Sequence, residues 1–325
     1  EALKQERLAD ILQRTQPPIW SDKPAAKKTQ SDWLALFRAR VDHLLDYLRE
    51  QSAVLFVEAL ILVGMILGLP ALGRRLRART DDDYDLRQAG DVFSLPFSMA
   101  FLISSTLALR LHPQAPQLFI SLLGLMALPP AAMLVQRLAP APLANLGWAV
   151  VALFVSDQSR VIFESLPFVD RAIFLAELTA ALLFCLWLLR PRRLGEIPQD
   201  LAHDALFRGA GVLVRAGAAL FAVALIAEAL GFVILADVVG AGTLRTAYFA
   251  LLLYSLLQAL HSLVAYALVL PPLSLLRLIS TRRGLVRRRV GSVLQVLLFA
   301  GWGCVTLASF GFDSAVAEAF TAVLG

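Results

Sequence analysis

The stretch AVLFVEALILVGMILGLPALGRRLRAR, residues 53–79, decides the fold. Residues 53–73 carry a single charge, Glu58, and four arginines, Arg74, Arg75, Arg77 and Arg79, follow directly. About 20 apolar residues in a helix cross ~30 Å of hydrocarbon. Arginines just past such a run hold that end at the headgroup level. The pattern recurs at every second break. Arg190, Arg192 and Arg193 follow the fifth apolar run, and Arg277, Arg282, Arg283 and Arg287 to Arg289 follow the seventh. The breaks between carry almost no positive charge.

This alternation predicts a chain threaded repeatedly through a bilayer, with its positive loops on the cytoplasmic side. An N-terminus outside places sixteen arginines on the cytoplasmic breaks and four, Arg110, Arg160, Arg171 and Arg245, on the outer ones. The predicted fold is all-α, a polytopic helical membrane protein with about eight transmembrane helices. The spans are placed at 53–73, 92–112, 117–138, 143–163, 170–190, 208–230, 244–270 and 291–312. Pro129–Pro130 splits the third span, and two kinked spans are preferred over a re-entrant hairpin across 117–163. Residues 231–243 are too short to cross and too apolar for a free loop, which predicts a segment at the outer interface.

Composition agrees. The chain is 58% hydrophobic with mean hydropathy +0.69, against about 45–50% apolar for an ordinary soluble domain. Its net charge of +5 is modest, and the arginines lie between apolar runs and not on one soluble face, which argues against a nucleic-acid partner. All four lysines, Lys4, Lys23, Lys27 and Lys28, fall in the first 28 residues. That shift marks residues 1–52 as an extramembrane, periplasmic helical segment ahead of a transmembrane region, 53–312. Residues 313–325 read as an outer-face linker, and the chain as a segment of a longer protein. Within the first part, Leu34, Phe37, Val41, Leu44 and Leu48 recur at helical spacing and predict one apolar stripe on a helix over 32–51. That stripe suits a partner-packing helix or one lying in the membrane interface.

Ionisable residues inside spans are the default place to look for function. Glu58, Glu177 and Arg215 are the deep ones. Asp157, Arg160 and Glu164 share one face near the outer end of the fourth span, and Asp170 and Arg171 begin the fifth. Glu228 ends the sixth, and Gln258 and His261 lie in the seventh. Two readings stay open: a proton or ion pathway, or snorkelling and pairing between helices. No enzyme constellation is found. His43, His112, His203 and His261 are scattered without metal-ligand spacing. No nucleophile elbow, phosphate loop or dinucleotide turn occurs. The Asp81–Asp85 run lacks a second acidic motif. Cys185 and Cys304 read as small hydrophobes. No catalytic residue, metal or cofactor is expected. Gly64 and Gly68 form GxxxG in the first span, and Gly211 and Gly217 belong to a small-residue-rich sixth span. These four are expected to serve close helix packing.

From about Gly209 the chain resembles a known family. The sixth span, the segment ADVVGAGTLRTAYFALLLY (236–254), the basic turn after Pro271–Pro272 and an eighth span ending in the FGF turn at 310–312 are similar to the auxiliary membrane region of the larger small-conductance mechanosensitive (MscS) channels. The resemblance covers about 120 residues. It implies a homoheptamer in a bacterial inner membrane, opened by bilayer tension to relieve osmotic pressure. The family's pore helix and β-rich vestibule are not present by Gly325, so no pore residue carries over. The implied role is a peripheral tension sensor whose partners are membrane lipids and its own copies. Arg74, Arg75, Arg190, Arg192, Arg193, Arg282, Arg283, Arg287, Arg288 and Arg289 would serve it as headgroup anchors. A secondary transporter is the alternative, and a membrane enzyme or scaffold a third reading.

Overall fold

Long apolar runs without interrupting polar residues leave the backbone no solvent to bond with, so each closes its hydrogen bonds internally as a helix. The computed structural model describes residues 32–77, 95–138, 141–163, 167–190, 205–269 and 283–310, with Pro18 and Phe93. Among these residues there is no strand. The helices are α1 (Asp32–Glu50), α2 (Ser52–Arg77), α3 (Pro96–Leu111), α4 (Gln117–Leu138), α5 (Ala141–Phe163), α6 (Pro167–Leu188), α7 (Ala205–Leu230), α8 (Val233–Ala236), α9 (Gly242–Val269) and α10 (Arg283–Ser309). A π-helical turn, Asp237–Ala241, joins α8 to α9.

Six described helices are long and apolar enough to cross a membrane: 52–74, 117–138, 168–188, 211–230, 233–264 and 289–309. The chain is therefore a polytopic helical membrane protein. The two remaining expected spans are helices as well. The second is a 16-residue helix, α3, because Pro96 starts it and His112 caps it just before Pro113. The fourth, α5, forms a helix of 23 residues but is not among the six. Segment 231–243 is mostly helical and leads directly into α9. Gly231 turns the chain with φ of 93°, a conformation open to glycine at no cost, and the helix that follows runs on into α9.

The chain forms two compact units: residues 40–151 with 249–302, and residues 1–39 with 152–248 and 303–325. In the first unit the core is built from Met99, Ala100 and Leu102 of α3 and Ala127, Leu128, Ala131, Ala132 and Leu134 of α4. α4 passes through Pro129 and Pro130 as one helix. Beside them the Ser255 hydroxyl is shared between Leu251 O at 2.8 Å and Ala131 O at 3.2 Å, which ties α9 to α4. α5 lies against α4 where Gly147 meets Ala132; a Cβ at 147 would stand 3.0 Å from the Ala132 Cα.

The second unit is built around α6 and α7. The buried positions of α6, Phe174, Leu178, Ala181 and Leu188, recur at three, four and seven and so share a face. Small residues oppose them. Gly240 of the π turn sits so close that a Cβ would be 2.7 Å from Leu178 Cδ2 and 3.2 Å from Ala224 Cβ.

The four glycines expected to pack helices meet no other helix among the described residues of one copy. A Cβ built at Gly64, Gly68, Gly211 or Gly217 meets nothing within 4 Å among the described residues. Gly147→Val is expected to lower stability by about 1–3 kcal/mol through overpacking, while Gly217→Ala leaves it unchanged or raises it by up to about 1 kcal/mol. Unfolding of both variants in detergent, followed by circular dichroism, checks the contrast.

Candidate functional site: two buried polar clusters

Charges inside an apolar bundle persist only where they are paired or bonded. The structure gathers them into one cluster in each unit. In the second unit, Arg160 of α5 is the hub. Its Nε donates to Asp170 Oδ1 at 3.0 Å. Its other nitrogens stand 3.5 Å from Asp237 and 3.8 Å from Asp157, and its guanidinium carbon lies 3.8 Å from the Phe174 ring centre. Three elements supply these partners. Asp157 is one turn back on α5, Asp170 and Phe174 are one turn apart on α6, and the π turn carries Asp237.

Beside this hub Arg171 of α6 reaches α7. Its Nη2 donates to the Glu228 carbonyl at 2.7 Å, and its Nε is 2.8 Å from Glu228 Oε1. That second approach is ion-pair contact and not an aligned hydrogen bond. Glu177 lies one turn beyond Phe174 on the buried face of α6 and is 2% exposed. The Tyr248 hydroxyl donates to its Oε1 at 3.5 Å, at the limit of bonding distance. The Tyr248 ring packs edge-on to Phe154.

In the first unit, Tyr47 of α1, Glu58 of α2 and His112 at the end of α3 come together. The Tyr47 Oη is 2.6 Å from His112 Nδ1, and His112 Nε2 is 3.2 Å from Glu58 Oε1. The Nε2 contact is again close without hydrogen-bond alignment. A carboxylate beside Nε2 favours a hydrogen there, which leaves Nδ1 to accept from the phenol. Burial, and then the negative charge of Glu58, push the Tyr47 phenol above its ordinary value, so it keeps its donor proton. Phe119 of α4 closes the group edge-on to both rings. Leu44 of the expected α1 stripe is buried one turn before Tyr47.

Of the three deep ionisable residues expected from sequence, Glu58 and Glu177 are buried in these clusters. Arg215 is not; it lies on the exposed face of α7 and joins no ion pair among the described residues. Tyr47, His112, Asp237 and Tyr248 escaped sequence reading, because their partners lie 54 or more positions away or across a loop that gave no periodic signal. Glu164 lies outside the described residues, as do Arg192, Arg193 and Arg282 and the expected linker 313–325. Arg74, Arg190 and Arg289 are exposed at or near helix ends. Arg75, Arg283, Arg287 and Arg288 are helical, with side chains outside the description. No group of three or more metal-ligating side chains occurs among the described residues. No protein family, curated protein or solved structure matches the chain.

Arg160→Ala leaves three carboxylates facing one another. A loss of about 3 kcal/mol is expected, at the low end for a broken buried pair because Asp170 and Asp237 are part-solvated. Adding Asp170→Asn should recover part of it, and a double-mutant cycle on unfolding measures the coupling. In the other cluster the raised Tyr47 phenol has a pH signature. Above about pH 10 the unfolded chain loses this proton before the folded one, so stability falls as pH rises through that range. The fall should be smaller in Tyr47→Phe, as read from unfolding curves across alkaline pH.

Proposed function

We propose that this chain is the auxiliary tension-sensing, lipid-contacting membrane region of a bacterial mechanosensitive ion channel that relieves osmotic pressure. It sits in the inner membrane with its N-terminus outside and works as a homo-oligomer, sevenfold by the resemblance of residues 208–325. The observation that carries this reading is the exposure of the first and last spans. Only 11% of the apolar window in 52–74 and 6% of that in 289–309 is buried inside the chain. Phe56, Leu60 and Leu67 on α2, and Val296, Leu297 and Phe299 on α10, are exposed. Such surfaces belong against lipid tails or against another copy.

A channel that widens in the plane gains free energy from tension in proportion to its change in area. Loosely held helices at the rim enlarge the lipid contact and follow bilayer thickness and tilt. Arginines at helix ends, Arg74, Arg190 and Arg289, fix helix depth at the headgroups.

A secondary transporter is the second reading, favoured by the acid-rich cluster around Arg160 and Glu177. Transport would show as substrate-dependent flux in vesicles that falls in Glu58→Gln, Glu177→Gln or Arg215→Gln. Under the channel reading, the intact protein gives tension-gated currents in suction-stretched patches and protects cells from osmotic downshock. Leu60→Asn with Leu67→Asn should raise the threshold tension without lowering the unfolding temperature. Patches without currents, together with cells that gain no protection, would refute it.

A further inference from the structure

Nearly every buried charge in the unit around α6 is answered. Arg160 faces three aspartates, Arg171 holds Glu228, and Arg245 acts on Asp157. Glu177 is the exception. It is 2% exposed. Its Oε2 is buried without a hydrogen-bond partner among the described residues, and its Oε1 has only the distant Tyr248 hydroxyl. The nearby cations are already outnumbered: Arg160, Arg171 and Arg245 stand against Asp157, Asp170, Asp237 and Glu228. Among the charged groups, Asp157 acts on Glu177 most strongly, ahead of Arg160 and Asp170. A fifth negative charge here would be buried, half-bonded and beside a like charge, which costs several kcal/mol in a low-dielectric interior. Phe154 packs on the ring of Tyr248, the partner of Glu177, Phe174 and Leu178 share the buried face of α6 with Glu177, and the described residues offer no metal-holding group.

We propose that Glu177 is a proton-binding site, filled from the end of this unit where Asp170 and Asp237 are open to solvent. Those two side chains are 31% and 47% exposed, and Asp157 is 17% exposed, so the acids run from wet to dry toward Glu177. The step is a simple transfer. A hydronium ion at the open end gives up its proton, a carboxylate oxygen of Glu177 gains an O–H bond, and water is left behind. The neutral acid keeps Oε1 as an acceptor for Tyr248 and removes the unanswered charge. The hub of Arg160 and its aspartates shields the entrance and leaves the inner acid to the proton alone. This site stands apart from the tension-sensing reading, since a bundle of either function could carry it.

Infrared spectroscopy on the full chain in phosphatidylcholine vesicles tests it. The wild type at neutral pH should show a protonated-carboxyl stretch that is absent in Glu177→Gln and shifted in frequency in Tyr248→Phe. Glu177→Gln copies the neutral acid in shape and charge, so it should fold and unfold at the wild-type temperature. A band that persists in Glu177→Gln overturns the proposal. So does a variant that fails to fold or unfolds well below the wild type, because the native state would then need the charge. Neither readout depends on channel activity, so either result leaves the patch experiment to decide the other question.

Discussion

Arg160 is the interaction on which the second unit depends. One guanidinium draws together the end of α5, the start of α6 and the π turn ahead of α9, while its flat face rests on Phe174. Arginine suits the position because a planar, delocalised cation bonds along its edges and stacks on an aromatic face at once. A lysine would reach one aspartate and leave the others facing each other. The arrangement turns what would be a liability in hydrocarbon into the joint that sets the angle between helices. Arg171 repeats the device on a smaller scale by pairing with both the carboxylate and the backbone carbonyl of Glu228.

The first unit solves the same problem with less charge. Tyr47, His112 and Glu58 form a row of polar atoms enclosed by Phe119, and the row joins α1 and α2 to the turn between α3 and α4. Only Gln51 separates α1 from α2. A pull on α1 is therefore delivered to the entry of the first span and to that turn together. Besides Glu58, α2 packs on α3 around Leu69 and Gly73 and presents Phe56, Leu60 and Leu67 outward. Firm polar joints at helix ends and exposed apolar flanks in between suit the lipid-contacting role proposed above.

The fold was legible in the sequence because each span is a long apolar run, and the arginine clusters mark where the runs end. Lengths were less legible. Pro96 and Pro113 cut α3 short of a full crossing, and segment 231–243 reads as a surface piece until the fit of Gly240 against Leu178 and Ala224 is seen. The helix faces of Asp157 with Arg160 and of Asp170 with Arg171 follow from local spacing alone. Their meeting does not, because it depends on Asp237 arriving from a turn some 70 residues away. His112 looked isolated for the same reason. The glycines are a different case. GxxxG at Gly64 and Gly68 has the spacing of a packing motif, yet no described residue comes within 4 Å of a Cβ built there.

The π turn at Asp237–Ala241 has a consequence for angular phase. α8 and α9 would otherwise be one uninterrupted helix, and a π turn holds one residue more than an α turn. One residue corresponds to about 100° of rotation. Everything after Ala241 is thus turned by roughly a quarter revolution relative to Asp237. That offset lets the same rod present Asp237 to Arg160 and, eleven positions later, Tyr248 to Glu177. Relaxing the turn into regular α-helix would keep one of these contacts and swing the other away, so the bulge works as a phase setting between the two polar groups.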